Sequence, residues 1–435
     1  MGASRRFAVA GAPILHSRSP GLHHAVFESL GLPWRYTRVH AAGPDTVLAL
    51  LREIPFAGLN LTAPLKESCL GLADEVETPA RAIGAVNTLV VGEGGRVSGA
   101  NTDAEGVLGA LDGTGVPLDG RPALVLGAGG AARAAVVALQ SRGCPVTVTN
   151  RTPERATSLA ADLGCAVMPW SGLEAAVRAA PIVVSTVPAS GSDDVRAAWL
   201  SAGHVVLDAD YASGRLAARA RSAGCRVADG LDWLALQAVG AARRFTGRDV
   251  PVGVLRAALG ALPEPLPRRL ALVGFMGAGK STVARRVADA LGWDLVETDA
   301  LVEAHFGRPA ARVFAEDGEA AFRAAEARVL DRLADRERVV LSCGGGLPAH
   351  GRNAQVLQER FTAFWLHVSL DAARARVGDD PARPLWSGRS RDDLADLYER
   401  RKDAYLACSR VVVETDGRTA EAVAEDIVDD VRSTF

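Results

Sequence analysis

Short apolar, β-branched runs alternate along the chain with longer stretches rich in Ala, Leu and Arg. Brief apolar runs bounded by turn residues mark strands buried on both faces, and the stretches between them have helical length. The alternation predicts α/β units with parallel sheets. Expected strands in the first part are Phe7–Ala10, Leu59–Thr62, Leu124–Leu126, Val146–Thr149, Ile182–Ser185 and Val205–Asp208. A second set is Leu270–Val273, Asp294–Glu297, Val339–Leu341, Phe364–Val368 and Val411–Glu414. Between the sets lies LPEPLPRR, Leu262–Arg269, where closely spaced prolines stop a helix and stiffen a spacer. A weaker boundary is expected near Asn101–Gly106.

Composition narrows this picture. A chain of 435 residues is long for one compact domain, so two or three are expected. The formal net charge of -2 gives no electrostatic reason to expect nucleic acid or an anionic membrane. Six scattered cysteines with no CxxC pair argue against a zinc site or a disulfide framework and suit a reducing compartment. The start, MGASRRFAVAGAP, lacks the apolar run of a signal peptide, and no uncharged apolar stretch approaches transmembrane length. The expected location is the cytoplasm, and the expected partners are small molecules.

Two phosphate-binding loops of different kinds carry the chemistry. GAGGAAR follows the Leu124–Leu126 strand and opens a helix over Ala131–Gln140. In that context Gly127, Ala128, Gly129, Gly130 and Ala131 let the backbone and the helix N-terminus approach a pyrophosphate. The next strand ends in NRTPER, where an NAD-binding fold would carry an acid for the ribose 2′-hydroxyl. Arg151 and Arg155 stand there instead, which suits the 2′-phosphate of NADP(H). The second loop, GFMGAGKS, runs from Gly274 to Ser281 after the Leu270–Val273 strand. Its backbone, with Gly277, Ala278 and Gly279, would cradle the phosphates of ATP. Lys280 would reach the β/γ oxygens, Ser281 would ligate Mg²⁺, and Thr282 would join the loop in binding the nucleotide. The length left after the linker suits a small-metabolite kinase.

Upstream of the first loop lie GAPILHSRSP, NLTAPLK, GAVNTL and NTDAEG. Their serines, amides and a Lys–Asp pair suit a polyhydroxylated acid that exchanges a proton. Over about residues 5–262 these strings resemble the shikimate dehydrogenase family. The resemblance implies that Ser17 and Ser19 hold the substrate carboxylate, and that Thr62, Asn87, Tyr211 and Gln237 bind ring hydroxyls. It makes Lys66 and Asp103 the catalytic pair. It puts Asn150, Arg151, Thr152 and Arg155 at the adenosine phosphate and Gly230 near the nicotinamide. The chemistry agrees: a ketone that accepts hydride needs a proton donor, and Lys66 held by Asp103 can supply it. His16 reads as scaffold for the serine loop, and His23 and His24 as structural. STVPAS, Ser185–Ser190, departs from the family's usual string and bears on the nicotinamide side.

In the second part, ETD places Glu297 and Asp299 two apart, FRAAE carries Arg323 and Glu326, and SCGGG ends a strand at Gly344–Gly346. ARPLW, Ala382–Trp386, suits a lid. Over about residues 268–435 these strings resemble the shikimate kinase family. That resemblance implies Asp299 as the base at the accepting hydroxyl, Arg323 and Arg401 as a carboxylate clamp, and Gly345 at the ring hydroxyls. It implies Arg383 as the lid arginine, Arg376 and Arg418 near the adenine, and Glu297 on Mg²⁺ through water. Glu297 stands where aspartate is common, and in RKDAY Arg400 competes with Arg401 for the clamp.

The expected architecture is α/β throughout. A dehydrogenase-like substrate domain (1–102 and 232–262) embraces a Rossmann NADP domain (103–231). The proline-rich linker (263–269) leads to a P-loop domain of the nucleoside-monophosphate-kinase type (270–435). The expected function is NADPH-dependent reduction of 3-dehydroshikimate and MgATP-dependent phosphorylation of shikimate. The rivals are quinate/shikimate oxidation, another small acceptor such as gluconate at the kinase site, and a metabolite sensor built from retired enzyme domains. Retention of Lys66, Asp103, Lys280 and Asp299 argues against the last.

Overall fold

The computed structural model describes residues 4–211, 213–260, 266, 268–378 and 390–434. Most of the proline-rich stretch, and the ARPLW string with Arg383, lie outside the described residues. The chain forms two compact units. One comprises Met1–Ala8, Arg18–Tyr36 and Pro55–Leu262, the other Val9–Ser17, Thr37–Ile54 and Pro263–Phe435.

The first unit contains a six-stranded parallel sheet. Its order is Arg226–Ala228, Val205–Asp208, Ile182–Ser185, Ala123–Leu126, Val146–Thr149, Ala166–Val167. Ala123–Leu126 is buried throughout and comes first in the chain, with later strands added on one side and then on the other. Strand order therefore reverses beside it, and its C-terminal end is the crevice where open α/β sheets bind ligands. GAGGAAR begins at that end, and the helix that follows is Gly130–Ser141. Apolar clusters cover both faces, one with Val136, Leu139 and Trp233, the other with Leu173, Val177 and Leu216.

A second strand set in this unit joins Phe56–Leu61, Thr88–Val91, Val97–Ala100 and Glu75–Val76. Its first three strands pair antiparallel, unlike the parallel sheets expected from the alternation pattern. The cause is local. Thr88–Val91 and Val97–Ala100 are joined by a turn in which Gly94 and Gly95 adopt φ of 68° and 78°, and only antiparallel neighbours can be joined so briefly. The long helix Gly230–Thr246 packs on Asp103–Asp112 at Gly106. A Cβ there would fall 2.6 Å from Trp233 and 3.0 Å from the Gln237 backbone, so close approach requires glycine.

The second unit is built on a parallel sheet in the order Asp294–Glu297, Val339–Ser342, Arg269–Val273, Thr362–His367, Val411–Glu414. Val411, Val412 and Val413 pair in parallel with Arg38, Val39 and His40. By contact, residues 9–17 and 37–54 group with the P-loop part of the chain. That strand pairing and a buried carboxylate described below hold them there. Among the described residues no helix is long and apolar enough to cross a membrane.

Candidate active sites

In the first unit, NLTAPLK turns at the end of Phe56–Leu61. The Thr62 carbonyl accepts from the Leu65 N–H, and the short helix Leu65–Ser68 carries Lys66. Lys66 Nζ donates to Asp103 Oδ2 at 2.7 Å, with the carboxylate almost fully buried and the lysine slightly open. Asp103 opens its helix; its N–H goes to Asn101 Oδ1, and its carbonyl accepts Trp233 Nε1–H at 3.1 Å. Asn87 lies alongside, donating to Thr102 Oγ1 at 3.0 Å and facing Gln237 Oε1 at 3.4 Å. The glycine turn meets this cluster directly: a Cβ on Gly130 would sit 2.8 Å from Lys66 Cβ. Lys66, Asp103, Asn87, Gln237 and Gly130 thus form one constellation.

Gly127, at φ 115°, has no room for a side chain, because Thr186 Oγ1 would lie 2.3 Å from its Cβ. The Thr186 hydroxyl donates to the Leu126 carbonyl, so the unusual STVPAS string buttresses the dinucleotide turn. Gly230 lies against the Asp208 carbonyl, 2.5 Å from where its Cβ would be. A glycine-lined strand end, a helix N-terminus and no bulky side chain in the turn fit a dinucleotide pyrophosphate. Asn150 Nδ2 donates to the Thr152 carbonyl, and Arg155 is exposed. Arg151 bonds Asp194 at 2.9 Å and lies 5.6 Å from the Trp170 ring. That arginine holds the Asp194 carboxyl below its ordinary range, aided by the Trp170 N–H. Tyr211 is half-buried, its N–H bonded to Ala209.

Among the N-terminal strings, Ser17 is buried and Ser19 opens the helix Ser19–Ser29. His16 is exposed and its pKa is lowered, burial of the ring being the largest cause. His23 stacks on Tyr36 at 4.3 Å, and burial pushes its pKa to about 3. His24 Nε2 accepts the Tyr36 N–H. Both serve the fold.

In the second unit, Gly274, Gly277 and Gly279 have φ of 146°, 80° and 83°. Such turns gather successive N–H groups into an anion-binding concavity at the start of the helix Lys280–Leu291. The loop fits the phosphates of ATP. Lys280 Nζ donates to its own loop at Phe275 O, 3.0 Å away. Ser281 Oγ lies 3.2 Å from Ser342 Oγ, and Glu297 is the strand-register partner of Ser342. These oxygens at adjoining strand ends suit Mg²⁺.

The glycine run after Val339–Ser342 brings Asp299, Glu326 and Arg323 together. A Cβ on Gly344 would lie 2.4 Å from Asp299 Oδ1 and 3.0 Å from Glu326 Oε1, and one on Gly346 would lie 2.7 Å from Arg323. Arg323 donates to Glu326 at 2.7 Å and to Glu319. Crowding by protein atoms raises the Asp299 pKa although the residue keeps an exposed face; Lys280 and Arg323 oppose the rise, Glu303 and Glu297 add to it. Burial carries Glu326 to about 7 against the pull of Arg323, and its Oε1 has no hydrogen-bond partner among the described residues. Arg401 is buried, its NH1 3.8 Å from where a Gly345 Cβ would be, whereas Arg400 is exposed. Tyr405 donates to the Gly345 carbonyl. Arg376 ties the Gly277 carbonyl to Thr415, and Arg418 is engaged by the Glu414 and Ala422 carbonyls and by Asp426.

Sequence reasoning gave no role to Thr186, Trp233 or Tyr405. For Tyr405 a signal existed: Leu394, Tyr398, Arg401 and Tyr405 share one helical face, and all are buried.

Fold and loops define a two-site nucleotide enzyme, an oxidoreductase of the Rossmann type joined to a P-loop phosphotransferase. Family profiles match in three places: shikimate dehydrogenase substrate binding domain over residues 9–89, shikimate / quinate 5-dehydrogenase over 112–194, and shikimate kinase over 276–432. A shikimate dehydrogenase (NADP(+)) of Methanothrix thermoacetophila is 40% identical over 260 residues, 58% of this chain and 96% of that protein. A shikimate kinase of Moorella thermoacetica is 40% identical over 162 residues, 37% of this chain and 93% of that protein. The Thermus thermophilus shikimate 5-dehydrogenase in complex with NADP(H) and shikimate matches with TM-score 0.54 and 40% identity, covering 59% of this chain and all of that one. A quinate dehydrogenase from Corynebacterium glutamicum in complex with NAD matches with TM-score 0.54 and 30% identity, over 60% of this chain and 99% of that one. The chain belongs to the shikimate dehydrogenase family in its larger, N-terminal part and to the shikimate kinase family in its C-terminal part. It is a bifunctional enzyme of the shikimate pathway, an NADP-dependent oxidoreductase and an ATP- and Mg²⁺-dependent phosphotransferase.

Proposed function

We propose that the first site reduces 3-dehydroshikimate to shikimate and that the second phosphorylates shikimate to shikimate 3-phosphate. The observation that carries the first step is the 2.7 Å Lys66–Asp103 pair packed against Gly130. Bound NADPH supplies the hydride. Lys66 Nζ donates a proton to the substrate oxygen as negative charge gathers there, and accepts it in the reverse direction. Asp103 holds the ammonium on the substrate, while Asn101 and Trp233 hold the Asp103 backbone. Asn87 and Gln237, with Thr62 and Tyr211, bind ring hydroxyls, and Ser17 and Ser19 take the carboxylate. Asn150, Arg151, Thr152 and Arg155 receive the adenosine phosphate end. Gly127–Ala131 would hold the pyrophosphate, and Gly230 would border the nicotinamide.

At the second site, ATP with Mg²⁺ supplies the phosphoryl group. Lys280 would leave the Phe275 carbonyl for the phosphates, Ser281 and, through water, Glu297 would hold the metal, and Gly277–Thr282 would line the phosphates. Asp299 orients the accepting hydroxyl and takes its proton; a raised pKa makes it the better acceptor. Arg323 and Arg401 fork the carboxylate beside Gly345. Arg401 serves rather than Arg400 because it is the one buried near that glycine. Glu326 keeps Arg323 in place. Arg376 and Arg418 border the adenine, and Arg383 acts as the lid arginine. The division of labour follows the sequence reading: 1–102 and 232–262 for substrate, 103–231 for NADP, 270–435 for phosphoryl transfer. The setting is the cytoplasm.

One coupled assay tests both steps. Purified protein with 3-dehydroshikimate and NADPH should oxidise the cofactor, and MgATP should then convert the product to shikimate 3-phosphate. Faster turnover of quinate with NAD, or phosphorylation of another acceptor in preference to shikimate, would overturn the corresponding half.

A further inference from the structure

We propose that Asp430, on the last helix of the phosphotransferase part, is a positioning residue for the dehydrogenase reaction, fixing the turn that carries Ser17. The inference rests on the reading of Ser17 as a contact of the substrate carboxylate. The helix Ala420–Arg432 buries Val423, Ala424, Ile427, Val428 and Val431, and Asp430 shares that apolar face with its side chain fully buried. An apolar residue at this place would suffice for packing, and a buried carboxylate is tolerated only when its oxygens are satisfied.

They are satisfied by the N-terminal turn. Asp430 Oδ1 accepts the N–H groups of Ile14 and of Leu15, the latter at 3.1 Å. Oδ2 lies 2.8 Å from His40 Nδ1. His40 Nε2 faces Asp426 at 3.3 Å, and Asp426 also receives Arg418. The turn continues from Ile14 to Ser17, whose N–H bonds the Ile14 carbonyl at 3.0 Å. The Ser17 carbonyl then accepts Arg38 Nε at 3.1 Å and NH2 at 2.6 Å. Ser17 is thus suspended between two anchors, Asp430 at the start of the turn and Arg38 at its end. All of these residues lie in the second compact unit. Two adjacent backbone donors on one carboxylate oxygen fix the direction of the turn as well as its position. Removing the carboxylate would leave both buried donors unmet.

The test uses the full chain and measures both reactions. Asp430→Ala should raise KM for 3-dehydroshikimate by ~10-fold with kcat changed by less than ~3-fold, the pattern of lost uniform binding. KM for NADPH and both kinase constants should stay within ~2-fold. Asp430→Asn keeps one acceptor oxygen and should fall between, at ~3-fold; it carries the test if the alanine variant does not accumulate. Unchanged KM in the variant that accumulates would overturn the proposal. So would equal loss of both activities, which marks a residue of the fold at large. Ser17→Ala, run beside them, separates the failures. If it leaves KM unchanged, the serine assignment is wrong. If it raises KM while Asp430→Ala does not, only the present inference falls.

Discussion

The lysines of the two nucleotide sites are held in different ways. At the dehydrogenase site the lysine to which the proposed mechanism gives the proton is already closed by the protein: Lys66 sits on a buried Asp103 whose backbone is held on both sides. At the kinase site Arg323 is closed on buried Glu326 in the same way, but Lys280 rests on its own loop carbonyl, and Asp299 and Glu326 crowd along Gly344. The chemistry explains the difference. Reduction of a ketone exchanges one proton with one side chain, so the donor can be built once and kept. Phosphoryl transfer moves a multiply charged anionic group, and the phosphates that Lys280 would neutralise arrive only with the nucleotide. The site must hold that lysine loosely enough to surrender it.

The contrast is tested most severely at Lys66. Lys66→Ala should cut dehydrogenase kcat by ~10²–10⁴-fold, the range for a lost positioned acid. Kinase turnover should be untouched, since no kinase group depends on Lys66. Near-normal NADPH oxidation by the variant would show that the closed pair is structural. At the open site the effects should divide. Asp299→Asn should lower kinase kcat by ~10²–10³-fold with ATP affinity within ~3-fold if, as proposed, Asp299 acts on the acceptor. Lys280→Ala should weaken ATP binding and turnover together. Loss of ATP binding in the Asp299 variant would contradict the roles.

Arg151 brings a loosely held cation into the dehydrogenase part. Its partner Asp194 and the Trp170 ring hold it at a half-exposed place. An exposed pair of this kind contributes only about 0–1 kcal/mol, so a 2′-phosphate can replace the carboxylate. Arg151→Asp should reduce the preference for NADPH over NADH by ~10–10²-fold. Steady-state kinetics with each cofactor decide the matter, and equal use of both by the unaltered enzyme would undo the argument from NRTPER.

The parts of the molecule that sequence made legible are those coded locally. Leu124–Leu126, GAGGAAR and the alanine-rich helix occupy consecutive positions, and so do the P-loop and its strand. Both were readable because the strand, the glycine turn and the helix start must be adjacent to work. The antiparallel pairing of Phe56–Leu61 with Thr88–Val91 was not legible, because short apolar runs carry no direction. The preference for Arg401 over Arg400 was partly legible, since Leu394, Tyr398 and Tyr405 mark the same helical face, which the structure buries. The Asp430 cluster was hidden most completely. Its partners lie near the other end of the chain, and nothing near AEDIVDDVR marks one aspartate of the pair as buried.

That cluster offers the gentlest test of the comparison, since it is a closed charge set in the unit whose active site is open. Burial opposes the charge on His40, but hydrogen bonds from the imidazole to Asp426 and Asp430 outweigh it and raise its pKa from 6.5 to about 9. The charged and titratable groups around the ring include those two carboxylates, Arg418 through Asp426, and His16, which also feels Asp430. A folded-state pKa above the unfolded one means that protonation favours the native state. The contribution is complete below about pH 6.5 and is lost as pH rises through about 9. A shift of that size is worth at most about 3 kcal/mol, and relaxation around the cluster should reduce it to a few degrees of melting temperature. Buried thiols also ionise only with difficulty and lower stability at high pH, Cys69 having a pKa near 11, so the wild-type curve alone is ambiguous. The informative quantity is the difference between the wild type and His40→Asn. It should be largest near pH 6 and shrink by pH 9.5, while kinase turnover at the open site stays level between the two proteins. A difference that does not change with pH would mean that His40 holds the turn by shape and hydrogen bonding, without the closed charge set described here.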